Sequence, residues 1–164
     1  MNAYRTILVA VDGSENAHRA VDMAVCLAEK YQSKLILAHV VDVEFFSVAW
    51  LNRPRHTETS DEHRRSADEA LGVHAHTDSL NDYRRQYSRE VLQMAAARVP
   101  DGIDSEVVHE TGSPREVLLQ LAEERQADLI VAGSRGLGTV AGMLVGTVSG
   151  YLVHHARVPV LVVK

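Results

Sequence analysis

Glycines recur through residues 133–149 in a pattern that favours the binding of an anionic group. An apolar run over residues 129–132 ends at the first of five glycines: Gly133, Gly136, Gly138, Gly142 and Gly146. Each glycine costs about 0.5–1 kcal/mol more than alanine inside regular structure, so this spacing is typical of a loop. Thr147 and Ser149 follow where a helix N-terminus would present N–H donors to a phosphate. The pattern predicts a strand, a glycine loop and a helix start around a phosphate group.

Two better-known phosphate motifs do not fit this loop. A Walker loop requires Gly-Lys-Ser/Thr, and the sequence has no lysine between Lys34 and Lys164. The Rossmann fingerprint would follow the first predicted strand, where residues 10–14 read Ala-Val-Asp-Gly-Ser. As a bare pattern, the glycines leave two interpretations open: phosphate binding, or a tight connection in which the turn itself occupies the side-chain space.

Apolar runs alternate with helical periodicities along the chain, which predicts a doubly wound α/β domain with a five-stranded parallel sheet and about four helices on both faces. The predicted strands cover residues 7–11, 34–41, 106–110, 128–132 and 158–163, and helices begin near Ser14, Leu80, Ser113 and Gly146. Strands and helices that alternate through short joints imply right-handed parallel units. The carboxyl ends of the strands therefore share one edge of the sheet.

Local signals mark the ends of three predicted helices. Ser14 is a candidate N-cap, and Ser113-Pro114-Arg115-Glu116 predicts a capping box with proline at the first helical position. The helix from Leu80 is expected to end before Pro100. Its expected core stripe is Tyr83, Tyr87, Val91, Met94 and Ala95.

Residues 45–79 do not follow this alternation. Their polar middle cannot build a core, so we expect a flexible or lid-like excursion from a single domain that spans residues 1–164. Four histidines in the segment raise a metal hypothesis: His56, His63, His74 and His76. Because no cysteine or i, i+4 partner accompanies them, solvated histidines are the favoured interpretation.

Composition narrows the class of protein. The 164 residues are 46% apolar and 24% charged, which is typical of a globular protein. The net charge of −5 does not favour binding to the phosphates of a nucleic acid. We expect no membrane partner, since no apolar run approaches the length of a membrane span, and no leader segment, since only a short strand-like run follows Arg5. Cys26 is the single cysteine, which suits a reducing cytoplasm, and we expect it to be buried on a helix.

Four blocks of this sequence resemble the universal stress protein family, in its ATP-binding subgroup. Gly133-x2-Gly136-x9-Gly146-Thr147 reproduces that subgroup's G-x2-G-x9-G-[ST] signature. Residues 7–14, 39–42 and 158–163 resemble three further family blocks in the same order. The resemblance covers nearly the whole chain except the region around residues 45–80.

The resemblance implies a strand order of 3-2-1-4-5, with a site between the first and fourth strands, and ATP, with Mg, as the ligand. Asp12 would meet the ribose or a metal near the phosphates, Val41 would read the adenine edge, and Arg135 would supply the counter-charge. The full implied set of nucleotide-binding residues is Ala10, Val11, Asp12, Val41, Gly133, Ser134, Arg135, Gly136, Gly146, Thr147, Val148 and Ser149. No catalytic residue is implied.

Two departures from the family pattern bear on affinity. Ala141-Gly142 stands where many relatives resemble Lys-Arg, which weakens the local positive potential. Ala10 stands where some members have proline.

The resemblance also implies a homodimer through residues 158–163, an apolar edge strand in which Pro159 is tolerated.

Three functions stay open. The first is a nucleotide-binding stress-response or signalling module with little or slow hydrolysis. The second is an ATP pyrophosphatase or adenylyl transferase, although residues 12–15 (Asp-Gly-Ser-Glu) lack the Ser-Gly-Gly-x-Asp loop and the chain has no His-x-Gly-His motif. The third is a structural dimer without nucleotide.

Overall fold

The computed structural model describes residues 4–42, 81–134 and 146–164. Within these ranges, strands and helices alternate as the apolar runs predict. The elements are β1 (Thr6–Ala10), α1 (Glu15–Tyr31), β2 (Lys34–Val41), α2 (residues 81–96), β3 (Ser105–Thr111), α3 (Pro114–Glu124), β4 (Leu129–Gly133), α4 (Thr147–His155) and β5 (Val160–Val163). The expected excursion at residues 45–79, with its histidines, lies outside the described residues.

The five strands form one parallel sheet in the order β3-β2-β1-β4-β5, which confirms the expected order. Strand β1 lies at the centre, where Ile7 is in register with Leu35 of β2 on one side and with Leu129 of β4 on the other. The chain winds outward from β1 to β3 and then returns to the opposite side for β4 and β5. The winding direction therefore reverses between β1 and β4, the place where doubly wound sheets hold ligands.

Alternate residues of the central strands feed two hydrophobic layers. Ile7 and Val9 face α1 and α2, where they pack with Val21 and Val91. Leu8 faces the opposite layer, which is made with α3 and α4. Both layers belong to strands covered on two faces, as expected for a parallel sheet. Each fully buried side chain of this kind stabilises the fold by about 1.5–3 kcal/mol.

Three local expectations were wrong. Cys26 is exposed, because it lies about 200° around α1 from buried Ala24. Tyr83 (41% exposed) and Met94 (54% exposed) lie roughly 100° or more from the centre of the buried face of α2. Among the described residues, the side chain of Ser113 makes no cap hydrogen bond, so the capping box does not form, although proline does stand at the first position of α3.

The helices of the described ranges are too short or too polar to cross a membrane.

Candidate functional site

The β1–α1 connection leaves the sheet at the winding reversal and turns sharply into a helix. The carboxylate of Asp12 accepts a hydrogen bond from the Ser14 N–H at 2.9 Å, and Gly13 adopts a φ of +83°, which favours glycine. Ser14 caps α1, as expected, by accepting from the Ala17 N–H at 3.2 Å. This turn leaves the half-buried Asp12 at the carboxyl edge of the sheet, beside the winding reversal. The region between Asp12, just after the end of β1, and Gly133, at the end of β4, is called the crevice below.

A buried imidazole and a phenol bind the same connection. His39 Nδ1 lies 2.7 Å from the carbonyl oxygen of Val11, and since a carbonyl only accepts, Nδ1 carries the hydrogen. The Tyr87 hydroxyl donates to the carbonyl oxygen of Asp12 at 3.0 Å. Burial lowers the pKa of His39 and raises the pKa of Tyr87 to about 12, so both groups are neutral donors near pH 7.

The exit of β4 faces this connection across the crevice. Gly133 packs directly against the backbone of Asn16 and Ala17, in the first turn of α1. The next residue, Ser134, is buried, and its hydroxyl lies 3.5 Å from the Asn16 side-chain amide. The two sides of the winding reversal are therefore in contact at this edge of the sheet.

Ser134 also joins the exit of β4 to the start of α4. Its carbonyl oxygen accepts from the Gly146 N–H at 2.6 Å, and its own N–H donates to the Val163 carbonyl at 2.6 Å. Gly146 is the N-cap of α4, and no side chain of the described residues caps that helix end. The N–H groups of the first turn of α4 therefore lie beside the exit of β4, with the dipole of a nine-residue helix behind them.

The hydroxyl groups of this first turn differ in their surroundings. Thr147 is exposed at the surface, whereas Ser149 is buried. The Ser149 hydroxyl lies 3.3 Å from the carbonyl oxygens of both Ser134 and Gly146. The hydroxyl hydrogen of Ser149 is thus directed to these backbone carbonyls. Val148, which lies between Thr147 and Ser149, is half-buried.

The structure brings most of the predicted site residues to one edge of the sheet. Ala10 ends β1, and buried Val41 ends the neighbouring β2, where its carbonyl oxygen accepts from the Gly112 N–H at 3.0 Å. Arg135 and Gly136 lie outside the described residues. The contact that Asn16 makes has no signal in the sequence pattern, and the helical spacing of Tyr87 indicated only a core position.

Charge at the crevice is sparse in the part that the structure describes. Asp12 is the carboxylate of the β1–α1 connection, and no lysine or arginine occurs among the predicted site residues that are described. No cluster of three or more histidine, cysteine, aspartate or glutamate side chains that could hold a metal occurs within residues 4–42, 81–134 and 146–164. Among the predicted site residues that are described, Asp12 is the carboxylate that a divalent cation could contact, together with the phosphates of a ligand.

This combination defines a class of protein: doubly wound α/β domains with a crevice between strands β1 and β4 and a helix N-terminus at its rim. The chain belongs to the universal stress protein family, whose family model matches residues 3–164.

Individual relatives agree with this assignment. A universal stress protein of Staphylococcus aureus (strain USA300) is 34% identical, over all of this chain and 86% of its own length. The structure of universal stress protein UspA from Lactobacillus plantarum is 25% identical, with a TM-score of 0.65 and 98% of each chain covered. A universal stress protein solved in complex with cAMP is 27% identical, with a TM-score of 0.60, covering 98% of this chain and 97% of that one.

Proposed function

We propose that this chain is an ATP-binding universal stress protein, which acts as a nucleotide-dependent module in stress response or signalling. The hydrogen bond between the Gly146 N–H and the Ser134 carbonyl carries the proposal, because it holds a helix N-terminus beside the β4 exit. Such an end attracts phosphate through N–H donors and the helix dipole. The related protein solved with cAMP supports an adenine nucleotide as the ligand class.

In this proposal each part of the crevice binds one part of the nucleotide. The N–H groups at the start of α4, with the exposed Thr147 hydroxyl, bind the phosphates, and Arg135 and Gly136 complete that loop. Asp12 binds the ribose, or the Mg that accompanies the phosphates, while Val41 lies beside the adenine. Bound Mg would neutralise phosphate charge that the acidic chain, at −5, otherwise repels.

We propose that hydrolysis is slow or absent. Fast phosphoryl transfer needs charge stabilisation at the γ-phosphate and a positioned nucleophile. Backbone donors bind the ground state and the transition state about equally, so they lower dissociation without accelerating chemistry. An ATP-hydrolysing or nucleotide-transfer enzyme on this fold is the alternative.

We further propose a cytoplasmic homodimer that pairs through β5. Strand β5 is an edge strand of the sheet, and its four residues are all half-buried. Pairing with a second copy would satisfy the N–H and C=O groups that an exposed apolar edge leaves open. The single cysteine is consistent with a reducing compartment. A structural dimer that binds no nucleotide is the remaining alternative.

Native mass spectrometry of freshly purified protein, followed by calorimetric titration with MgATP, MgADP, AMP and cAMP, tests the proposal. We expect retained or titratable adenine nucleotide, with ATP bound more tightly than AMP. Gly146→Val should abolish binding, because it adds a side chain to a buried position between Ser134 and the helix start. Gly150→Ala, one turn further along α4, is the matched control. Failure of all four ligands to bind would contradict the proposal and favour the structural dimer.

A further inference from the structure

Two side chains from different elements hold consecutive carbonyl groups of the β1–α1 connection. His39 of β2 donates to the carbonyl of Val11, and Tyr87 of α2 donates to the carbonyl of Asp12. Neither bond uses the carboxylate of Asp12. The two bonds therefore fix the backbone from which that carboxylate projects.

The two donors form one unit around the connection. Their ring centroids are 5.8 Å apart, although 48 positions separate His39 from Tyr87 in the chain. A Cβ placed on Gly13 would lie 3.4 Å from the Tyr87 hydroxyl oxygen and 3.1 Å from Val91 Cγ2. The connection thus packs against α2 at Gly13, where the backbone of the connection has a positive φ. This contact leaves the connection little room for another conformation.

Packing alone does not account for an imidazole at this position. His39 is only 3% exposed, and its Nε2 atom has no hydrogen-bond partner among the described residues. A buried polar atom without a partner costs stability, and an apolar ring or leucine would avoid that cost. The bond from Nδ1 to Val11 is what an apolar residue could not supply.

We propose that His39 and Tyr87 are positioning residues that orient the Asp12 carboxylate for the nucleotide before the nucleotide binds. The inference rests on the proposed function, since it requires that Asp12 contacts the nucleotide or its Mg. Holding a binding group in its bound geometry raises affinity, because association then needs no further ordering of the connection.

Calorimetric titration of the full chain with MgATP tests the role of Tyr87. Tyr87→Phe removes only the hydroxyl and should weaken affinity about fivefold to tenfold. Ser88→Ala is the matched control, because the buried Ser88 hydroxyl donates to the Arg84 carbonyl within the same helix rather than to the connection. We expect Ser88→Ala to bind MgATP within about twofold of the wild type, although each variant loses one hydroxyl-to-carbonyl bond.

A pair of variants tests His39 in the same assay. His39→Asn places an amide N–H near the position of the Nδ1 hydrogen and should keep affinity within about twofold, whereas His39→Leu should weaken it about tenfold. If His39→Leu fails to fold, the Tyr87→Phe and His39→Asn results decide the matter. The Gly13 amide resonance of the ligand-free protein gives a second readout. It should broaden or shift in Tyr87→Phe and stay unchanged in Ser88→Ala.

The outcomes separate this inference from the proposed function. A wild type that does not bind MgATP contradicts both. A wild type that binds MgATP, together with Tyr87→Phe of equal affinity and an unchanged Gly13 resonance, overturns the positioning role alone.

Discussion

Gly133 lies so close to the first turn of α1 that a Cβ added to it would be 2.8 Å from the carbonyl carbon of Asn16. The same Cβ would lie 2.9 Å from Asn16 Cβ and 3.0 Å from the nitrogen of Ala17. All three distances are shorter than van der Waals contact. The missing side chain thus lets β4 and α1 meet at the crevice.

Substitution of Gly133 should therefore destabilise the fold as well as disturb the site. We expect Gly133→Ala to lower the free energy of unfolding by about 1–3 kcal/mol, because α1 must move away from β4, and Gly133→Val to lower it further. Urea denaturation measures both. Asn16→Gly in the Gly133→Ala background should restore only part of the loss, since two of the three contacts are backbone atoms. Unchanged stability of Gly133→Ala would contradict this packing.

The proposed dimer can be tested by one proline in the edge strand. The Ile130 N–H donates to the Pro159 carbonyl, and the Ser134 N–H donates to the Val163 carbonyl. The odd-numbered residues of β5 therefore bond to β4, and the N–H and C=O groups of Val162 point away from β4. Val162→Pro should remove an outward donor and yield an 18.1 kDa monomer by light scattering.

The neighbouring position supplies the control for that experiment. Leu161→Pro would delete a bond to β4 and should lower the free energy of unfolding, whereas Val162→Pro should leave the fold largely intact. A wild type of monomeric mass at micromolar concentration would overturn the dimer.

Stability should fall on acidification because of His39. Burial, the main cause, and the ring of His109 lower its folded pKa below the unfolded value of 6.5, while the bond to Val11 and the charge of Asp12 oppose the shift. Below pH 6.5 the unfolded chain then binds more protons than the folded one. The stability that neutral His39 contributes is therefore complete above pH 6.5 and is lost as the pH falls toward the folded pKa. The slope reaches at most about 1.4 kcal/mol per pH unit for one group.

Urea denaturation of the wild type and His39→Asn between pH 5 and pH 8 isolates this effect, because the two proteins differ only at residue 39. The variant should lose less stability than the wild type as the pH falls. Parallel pH profiles would show that folding does not lower the pKa of His39.

Turnover of ATP should be slow. A single-turnover assay with MgATP should give a rate well below 1 per second, the lower end of ordinary enzyme rates. Asp12→Ala should weaken MgATP binding more than it changes that rate, because the proposed role of Asp12 is to bind the ribose or the Mg rather than to stabilise the transition state. A rate of about 1 per second or faster, lost in Asp12→Ala, would favour the enzyme alternative.

The sequence predicted those features that depend on neighbours along the chain. Periodicity located the strands, and Ser14 was identified as a helix cap, because these signals are local. The resemblance supplied the sheet order, which places β1 and β4 side by side. Features that arise from packing between distant segments were missed: the approach of Gly133 to Asn16, the bond from Tyr87 to Asp12, and the exposure of Cys26. A helical stripe does not specify which neighbour covers it, so Tyr83 and Met94 were wrongly assigned to the core.

The exposure of Cys26 has a practical consequence. Since it is the sequence's one cysteine and lies on the surface of α1, a maleimide dye would attach at a single position without any mutagenesis. The dye would sit about 16 Å along the helix from Glu15, at the crevice end of α1. At that separation, energy transfer to a bound fluorescent nucleotide analogue would be nearly complete, so it would report binding, and two labelled copies could report their own association. A single labelled thiol would thus report both nucleotide binding and the association of two copies.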